Sequence, residues 1–374
     1  MSPADSRASR LLFLDWLRGV AVLTMILWHS MDAWTAPWDR GGNAFAVIAF
    51  LGGWAAPLFV FLAGVSVALA GEASLRSSAE RRAPSAVERT AIGWRLQKRG
   101  WEIFLIAHLF RLQSFLLNPL ASWSSLLKVD ILNILGLGLV AVAFCWSRAT
   151  TRLRQILWLF APAAVIVLVT PATRLASWPA LIRPYAPRLE AYIRPVAGIG
   201  VFSLFPWIAF IFIGALIGVW IASARDQAKD GRFQSRLALV GGAIVVAGLI
   251  GMSLPAITPS SFWTTSLSWF LIRTGAMTLG IPVAWLWMRR PGFGNERTRI
   301  RPNVVFGQES LFVYWVHVEL AYGFFTHPIQ NALPLPWAFA GFLGLTALML
   351  WLTVLWKQRR RPLVPEYLKL QVQT

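Results

Sequence analysis

Ten stretches of about twenty predominantly apolar residues, separated by short charged turns, constrain this chain more than any other feature. They run at about 11–31, 44–70, 95–117, 127–146, 154–171, 197–222, 236–254, 267–288, 304–325 and 336–356. A backbone crossing hydrocarbon has to satisfy its own polar groups, so each stretch reads as a membrane helix. The expected fold class is therefore all-α, a polytopic transmembrane helical bundle of about ten spans. One integral-membrane domain is expected over residues 1–374, with its core at about 11–356 and a tail from 357. With 57% of residues hydrophobic and only 14% charged, a soluble globular chain is excluded.

The net charge of +19 does not point to nucleic acid, because the basic residues bunch beside the spans, where they set orientation. With the N-terminus in the cytoplasm, 26 of the 35 lysines and arginines fall on the cytoplasmic side. Both termini are then cytoplasmic, as expected for a bacterial inner-membrane protein. Many of the 21 tryptophans, among them Trp34, Trp94 and Trp146, sit at span ends and form an aromatic belt. A single cysteine, Cys145, leaves no internal disulfide and no metal-ligand spacing, and the four histidines lie in separate segments, so no metal is expected.

The first span carries three ionisable residues, Asp15, Arg18 and His29. A central Asp or Arg in a membrane helix costs about 2.5–3.5 kcal/mol on insertion scales. At 100° per residue, Arg18 and His29 fall within about 20° of each other, with Asp15 on the same stripe. One helix face thus holds Asp15 and Arg18 low and His29 about 16 Å further along. Such a stripe reads as a functional face turned to a bundle interior, or as an Asp15–Arg18 pair with an interfacial histidine.

Other polar residues follow in the later spans. Pro57, Gly64 and Ser66 read as a packing motif, as do Gly214 and Gly218. Arg95, Lys98 and Arg99 open the third span at the cytoplasmic surface and suit lipid head groups or a phosphorylated ligand. His108 and Arg111 share a face further along, as a satisfied pair or a catalytic one. Asp130 and Asn133 open the fourth span; Asp130 can orient a histidine, bind a substrate hydroxyl, or start a helix. In the ninth span Ser310, Tyr314 and His317 fall on one face. Residues 71–94 and the proline-rich 172–196 read as loops, the latter with a short interfacial helix or lid.

The Arg18-x10-His29 spacing within Leu-Asp-Trp-Leu-Arg-Gly resembles the first-span signature of integral-membrane acyltransferases, including the acyltransferase-3 family. The segments Ala56-Pro57-Leu58-Phe59-Val60-Phe61-Leu62-Ala63-Gly64, Asp130-Ile131-Leu132-Asn133-Ile134-Leu135-Gly136, Pro206-Trp207 and Ser310-Leu311-Phe312-Val313-Tyr314-Trp315-Val316-His317 recur in that order in bacterial proteins similar to heparan-α-glucosaminide N-acetyltransferase. The resemblance covers about residues 11–350. It implies an acetyl group moved from cytoplasmic acetyl-CoA to an amine or hydroxyl of a sugar-type acceptor across the membrane. In the lysosomal enzyme the essential histidine lies in the loop after the first span, whereas the loop Asp32–Asn43 here has none; the resemblance to the acyltransferase-3 pattern implies the general-base role for His29.

On that reading Asp15, Arg18, Asp32 and Asp130 support His29, with Asp32 or Asp130 orienting the imidazole. Arg18, Arg95, Lys98, Arg99 and Arg111 hold the CoA phosphates and the passing arm. Trp34, Asn133, Ser310, Trp315 and His317 contact the acceptor. The alternative is a proton-coupled transporter or flippase using Asp15, Arg18, Glu102, His108 and His317. No two-halves repeat of the kind many transporters show is visible.

Overall fold

The computed structural model describes residues 11–79, 86–119, 122–175, 187–224, 230–254, 260–290 and 301–359. In chain order the helices are α1 Leu12–Trp34, α2 Asn43–Gly52, α3 Ala55–Ala79, α4 Ala86–Leu117, α5 Ile131–Arg148, α6 Arg152–Leu175, α7 Pro187–Ile193, α8 Leu204–Ser223, α9 Gly231–Met252, α10 Leu267–Met288, α11 Pro302–Gln308, α12 Ser310–Tyr322 and α13 Leu335–Arg359. Among the described residues there is no strand beyond isolated bridges, and the protein is an all-α polytopic membrane protein. Eight stretches are long and apolar enough to cross a bilayer. The helix α4 misses that test because basic and acidic residues crowd its first half, and α11 and α12 because the ninth apolar stretch is broken into two short helices at Glu309 (φ −110°, ψ 30°).

Residues 71–94 are more helical than a loop reading suggests. Helix α3 runs to Ala79 and α4 starts at Ala86, and residues 80–85 lie outside the described part. Alanine and arginine are good helix formers, and the Ser74 hydroxyl bonds back to Ala70 O at 2.9 Å, so polarity alone does not end a helix here. Of 172–196, residues 176–186 are likewise undescribed, and α7 supplies the short helix.

The chain divides into two compact units, Met1–Gly52 with Arg297–Thr374, and Gly53–Glu296. In the first, α1 packs against α11, α12, α13 and α2. Two glycines bring α1 and α11 into backbone contact: a Cβ on Gly19 would lie 1.7 Å from Asn303 O, and one on Gly307 1.8 Å from Asp15 O. Beyond α1 the chain is strapped to the segment before α13 by Asn331 N→Ala33 O (2.9 Å), Leu333 N→Trp34 O (2.9 Å) and Ala36 N→Leu333 O (2.8 Å).

In the second unit, α3 pairs with α8, α4 with α5, and α9 with α10. The α3–α8 approach is again set by glycine, since a Cβ on Gly64 would lie 2.0 Å from Ile211 O and one on Gly214 2.0 Å from Phe61 O. At one end of this unit α3 to α6 are tied by Glu72, whose carboxylate accepts from Trp146 Nε1 (2.9 Å) and Gln155 Nε2 (2.5 Å) and lies 3.7 Å from Arg89. Arg273, buried within α10, donates to Gly53 O and lies between the rings of Trp54 and Trp269, at 4.8 and 4.9 Å from their centroids. Carbonyl and ring faces thereby offset the cost of its charge in hydrocarbon.

Candidate active site

In the first unit the polar stripe of α1 faces the broken helix α11–α12. At its lower end, Arg18 Nη1 donates to Asp15 Oδ1 (3.1 Å) and to Gly307 O (3.1 Å). A helix leaves its last carbonyls without intrahelical partners, and α11 stops one residue after Gly307, so the guanidinium satisfies a group that the break exposes. Gln308 extends the cluster, donating to Asp15 Oδ2 at 3.4 Å and accepting from Lys357 Nζ.

At the upper end, His29 Nδ1 lies 3.0 Å from His317 Nε2. The ring planes are 13° apart and the centroids 5.1 Å, which is two imidazoles edge to edge in nearly one plane rather than face on face. His317 is fully buried, and its Nδ1 is 2.5 Å from Val313 O. A carbonyl only accepts, so His317 Nδ1 carries the proton. With both rings neutral, its Nε2 is then an acceptor, and the proton of the shared bond sits on His29 Nδ1. The chain Val313 O, His317, His29 therefore leaves the lone pair of His29 on Nε2. The ring of Tyr322 meets His29 edge-on at 5.5 Å, and its hydroxyl donates to Asp32 Oδ2 at 2.7 Å. Arg40 closes this end, bonding Asp32 O (2.7 Å), Thr35 O (3.0 Å) and Asn331 Oδ1 (2.6 Å).

These contacts redistribute several expected roles. The partner on His29 Nδ1 is His317, expected as an acceptor contact, while the Asp32 carboxylate is engaged by Tyr322. Trp34 is 4% exposed, its indole donates to Ala321 O at 3.0 Å, and its ring packs where a Cβ on Gly341 would fall. These contacts lock the end of α1 against Ala321 and Gly341. Between Arg18 and His29 the same face is filled by Val22, Met25 and Ile26, each 4% exposed or less, so the seam of α1 is packed rather than open along its length. Arg18 anchors the α11 terminus through Gly307 O. Ser310 begins α12 and is half-buried, as is Trp315.

In the second unit, Asp130 caps α5 through a reciprocal box with Asn133, and its Oδ2 accepts from Arg111 Nη2 at 2.7 Å. Asn133 also lies 3.4 Å from His108 Nδ1, which is closer to Phe104 O at 2.9 Å. Of the expected CoA ligands, Arg95, Lys98 and Arg99 stand exposed together near the start of α4, with Lys98 over the Trp94 ring and Arg99 paired with Glu102. Arg111 lies twelve residues beyond Arg99, about 18 Å along the helix, and is tied to Asp130, so it does not join them. Tyr322 and Gly307 belong to this geometry without having been singled out from the sequence, although Gly307 is a small residue beside bulky neighbours, which is the available signal.

A family model described as heparan-alpha-glucosaminide N-acetyltransferase, catalytic, matches residues 10–246. The chain belongs to this family. Membership makes it a membrane acetyltransferase of that type. The match includes Asp15, Arg18, His29, the basic start of α4, and Asp130 with Asn133, whereas His317 and Tyr322 lie beyond it. No curated protein matches the chain.

Proposed function

We propose that the protein transfers an acetyl group from acetyl-CoA on the cytoplasmic side to an amine or hydroxyl of a sugar or glycan acceptor on the outer side, with His29 as the general base. The observation that carries this reading is the Val313–His317–His29 chain, which presents a basic Nε2 near one end of a membrane helix. The acceptor N–H or O–H attacks the thioester carbonyl while His29 Nε2 takes its proton. The C–S bond then breaks, and the CoA thiolate leaves and is protonated. Arg95, Lys98 and Arg99 supply the charge suited to the CoA phosphates, since they are exposed and clustered at a surface rich in cations. Asp32, held by Tyr322, offers a hydrogen-bonding group suited to a hydroxylated acceptor. The excess of basic residues in the loops assigned to the inner side supports a bacterial cytoplasmic membrane as its location.

The test is acetyl transfer from labelled acetyl-CoA by purified protein across a panel of amino sugars and glycans. Replacing His29 by Ala removes general-base assistance, worth about 10²–10⁴ in rate. Wild-type turnover by His29→Ala overturns the mechanism, and acceptor flux into vesicles in the absence of CoA favours a carrier instead.

A further inference from the structure

A second site lies within the second unit, away from the residues above. A cavity of about 560 Å³ opens between α6 and α8 on one side and α9 and α10 on the other. Helices α9 and α10 pack closely on each other but touch α6 and α8 only sparingly, so the space is a cleft between two helix pairs. On α6 its lining recurs at Arg152, Ile156, Phe160, Ala164 and Leu168, one continuous helix face. That face runs about 24 Å at ~1.5 Å per residue, more than half of the roughly 30 Å hydrocarbon core. The wall is hydrocarbon almost throughout. Its other polar residue, Thr274, has its hydroxyl buried away from the surface.

The exception is Arg152, at the cytoplasm-proximal mouth. Its guanidinium reaches across from α6 to α8, donating to Val219 O (3.3 Å) and to Gln155 Oε1 (3.2 Å). Arg148 and Arg154 flank it, and no Asp or Glu occurs between Asp130 and Glu190. A long apolar trough with a cationic mouth, Arg152 with Arg148 and Arg154 close by in sequence, matches an amphiphile with a hydrocarbon chain and an anionic head.

We propose that this cleft binds one anionic phospholipid, its acyl chain between α6, α8 and α10 and its phosphate on Arg152. The site is independent of the acetyl-transfer reading. The protein is extracted in a mild non-ionic detergent and examined by native mass spectrometry, then delipidated and titrated with phosphatidylglycerol or phosphatidylcholine. Wild type is expected to retain one phospholipid per chain and to prefer phosphatidylglycerol about fivefold, the effect of one interfacial cation. Ala164→Trp, which fills the trough, is expected to lose the retained lipid, and Arg152→Gln to keep binding but lose the preference. Should Ala164→Trp fail to fold, the Arg152→Gln titration still decides. Retention of only detergent by wild type, undiminished lipid on Ala164→Trp, a preference unchanged in Arg152→Gln, or a dimer whose formation the Trp blocks would each overturn the proposal.

Discussion

At the level of single residues, the arrangement turns on which nitrogen of His29 carries a proton. His317 decides this by accepting from Nδ1, and Val313 O decides it for His317 in turn. Replacing His317 by Phe removes the acceptor while keeping a planar ring, so His29 populates both tautomers and samples other orientations. Turnover is expected to fall by about 10–100-fold, as for other residues that orient a reactive histidine, with KM for both substrates little changed and partial recovery in His317→Gln. A wild-type kcat for His317→Phe would show that His317 only packs. The Asp15–Arg18 pair makes a different prediction, because Asp15 is 4% exposed and its partner largely buried. Asp15→Asn leaves a guanidinium without its counter-charge and is expected to cost about 3 kcal/mol, read as a lower unfolding midpoint in detergent. Both ionisable ends of this stripe were legible in the sequence, since charges in hydrocarbon need partners. The partner of His29 was not, because the pairing spans 288 positions and rests on where a helix breaks, whereas the histidine stripe on α12 only announces a polar face.

Between elements, glycine carries the information. Gly19 follows Arg18 directly, and Gly307 supplies the carbonyl that Arg18 binds, so the close approach of α1 and α11 and the polar contact between them are one device. A methyl at either position would lie under 2 Å from a backbone oxygen, which cannot swing away as a side chain does. Gly307→Ala is expected to reach or exceed the upper end of the roughly 1–3 kcal/mol typical of overpacking, while Gly344→Ala, where a Cβ meets nothing within 4 Å, is expected to be silent. Comparing thermal unfolding of the two variants checks this, and equal stabilities would mean that α1 and α11 can separate freely. Sequence spacing alone read Gly64, Gly214 and Gly218 as packing positions, and their contacts agree. It read the ninth apolar stretch as one helix, passing over the polar run Gln308-Glu309-Ser310 where the chain turns. The capping box of Asp130 and Asn133 shows the converse case, in which a local motif places a helix start at Ile131 regardless of tertiary context.

For the chain as a whole, the span number turns on α4 and on the broken pair α11–α12, and the charges bear on α4. Its first half holds Arg95, Lys98, Arg99 and Glu102, and its far half carries Arg111, which is neutralised by Asp130. If α4 crosses, the turns at 148–154, 225–236 and 289–301 lie in the cytoplasm with their twelve basic residues. If it does not, all twelve are carried to the outer face, against the charge bias that orients membrane proteins. The charges therefore favour a crossing α4 even though its composition is unusual for a span, and the Arg111–Asp130 bond supplies the reason it is tolerated. Thr150, exposed in the turn between α5 and α6, reports the side directly, and Gly42, exposed and with Asp39 O 4.0 Å from where a Cβ would fall, serves as the outer reference. With Cys145 replaced by Ala, a membrane-impermeant maleimide is expected to label Gly42→Cys on intact cells and Thr150→Cys only after permeabilisation. Labelling of Thr150→Cys from outside would take α4 out of the membrane. It would also move Asp130 and Asn133 to the cytoplasmic face, away from any acceptor on the outer side.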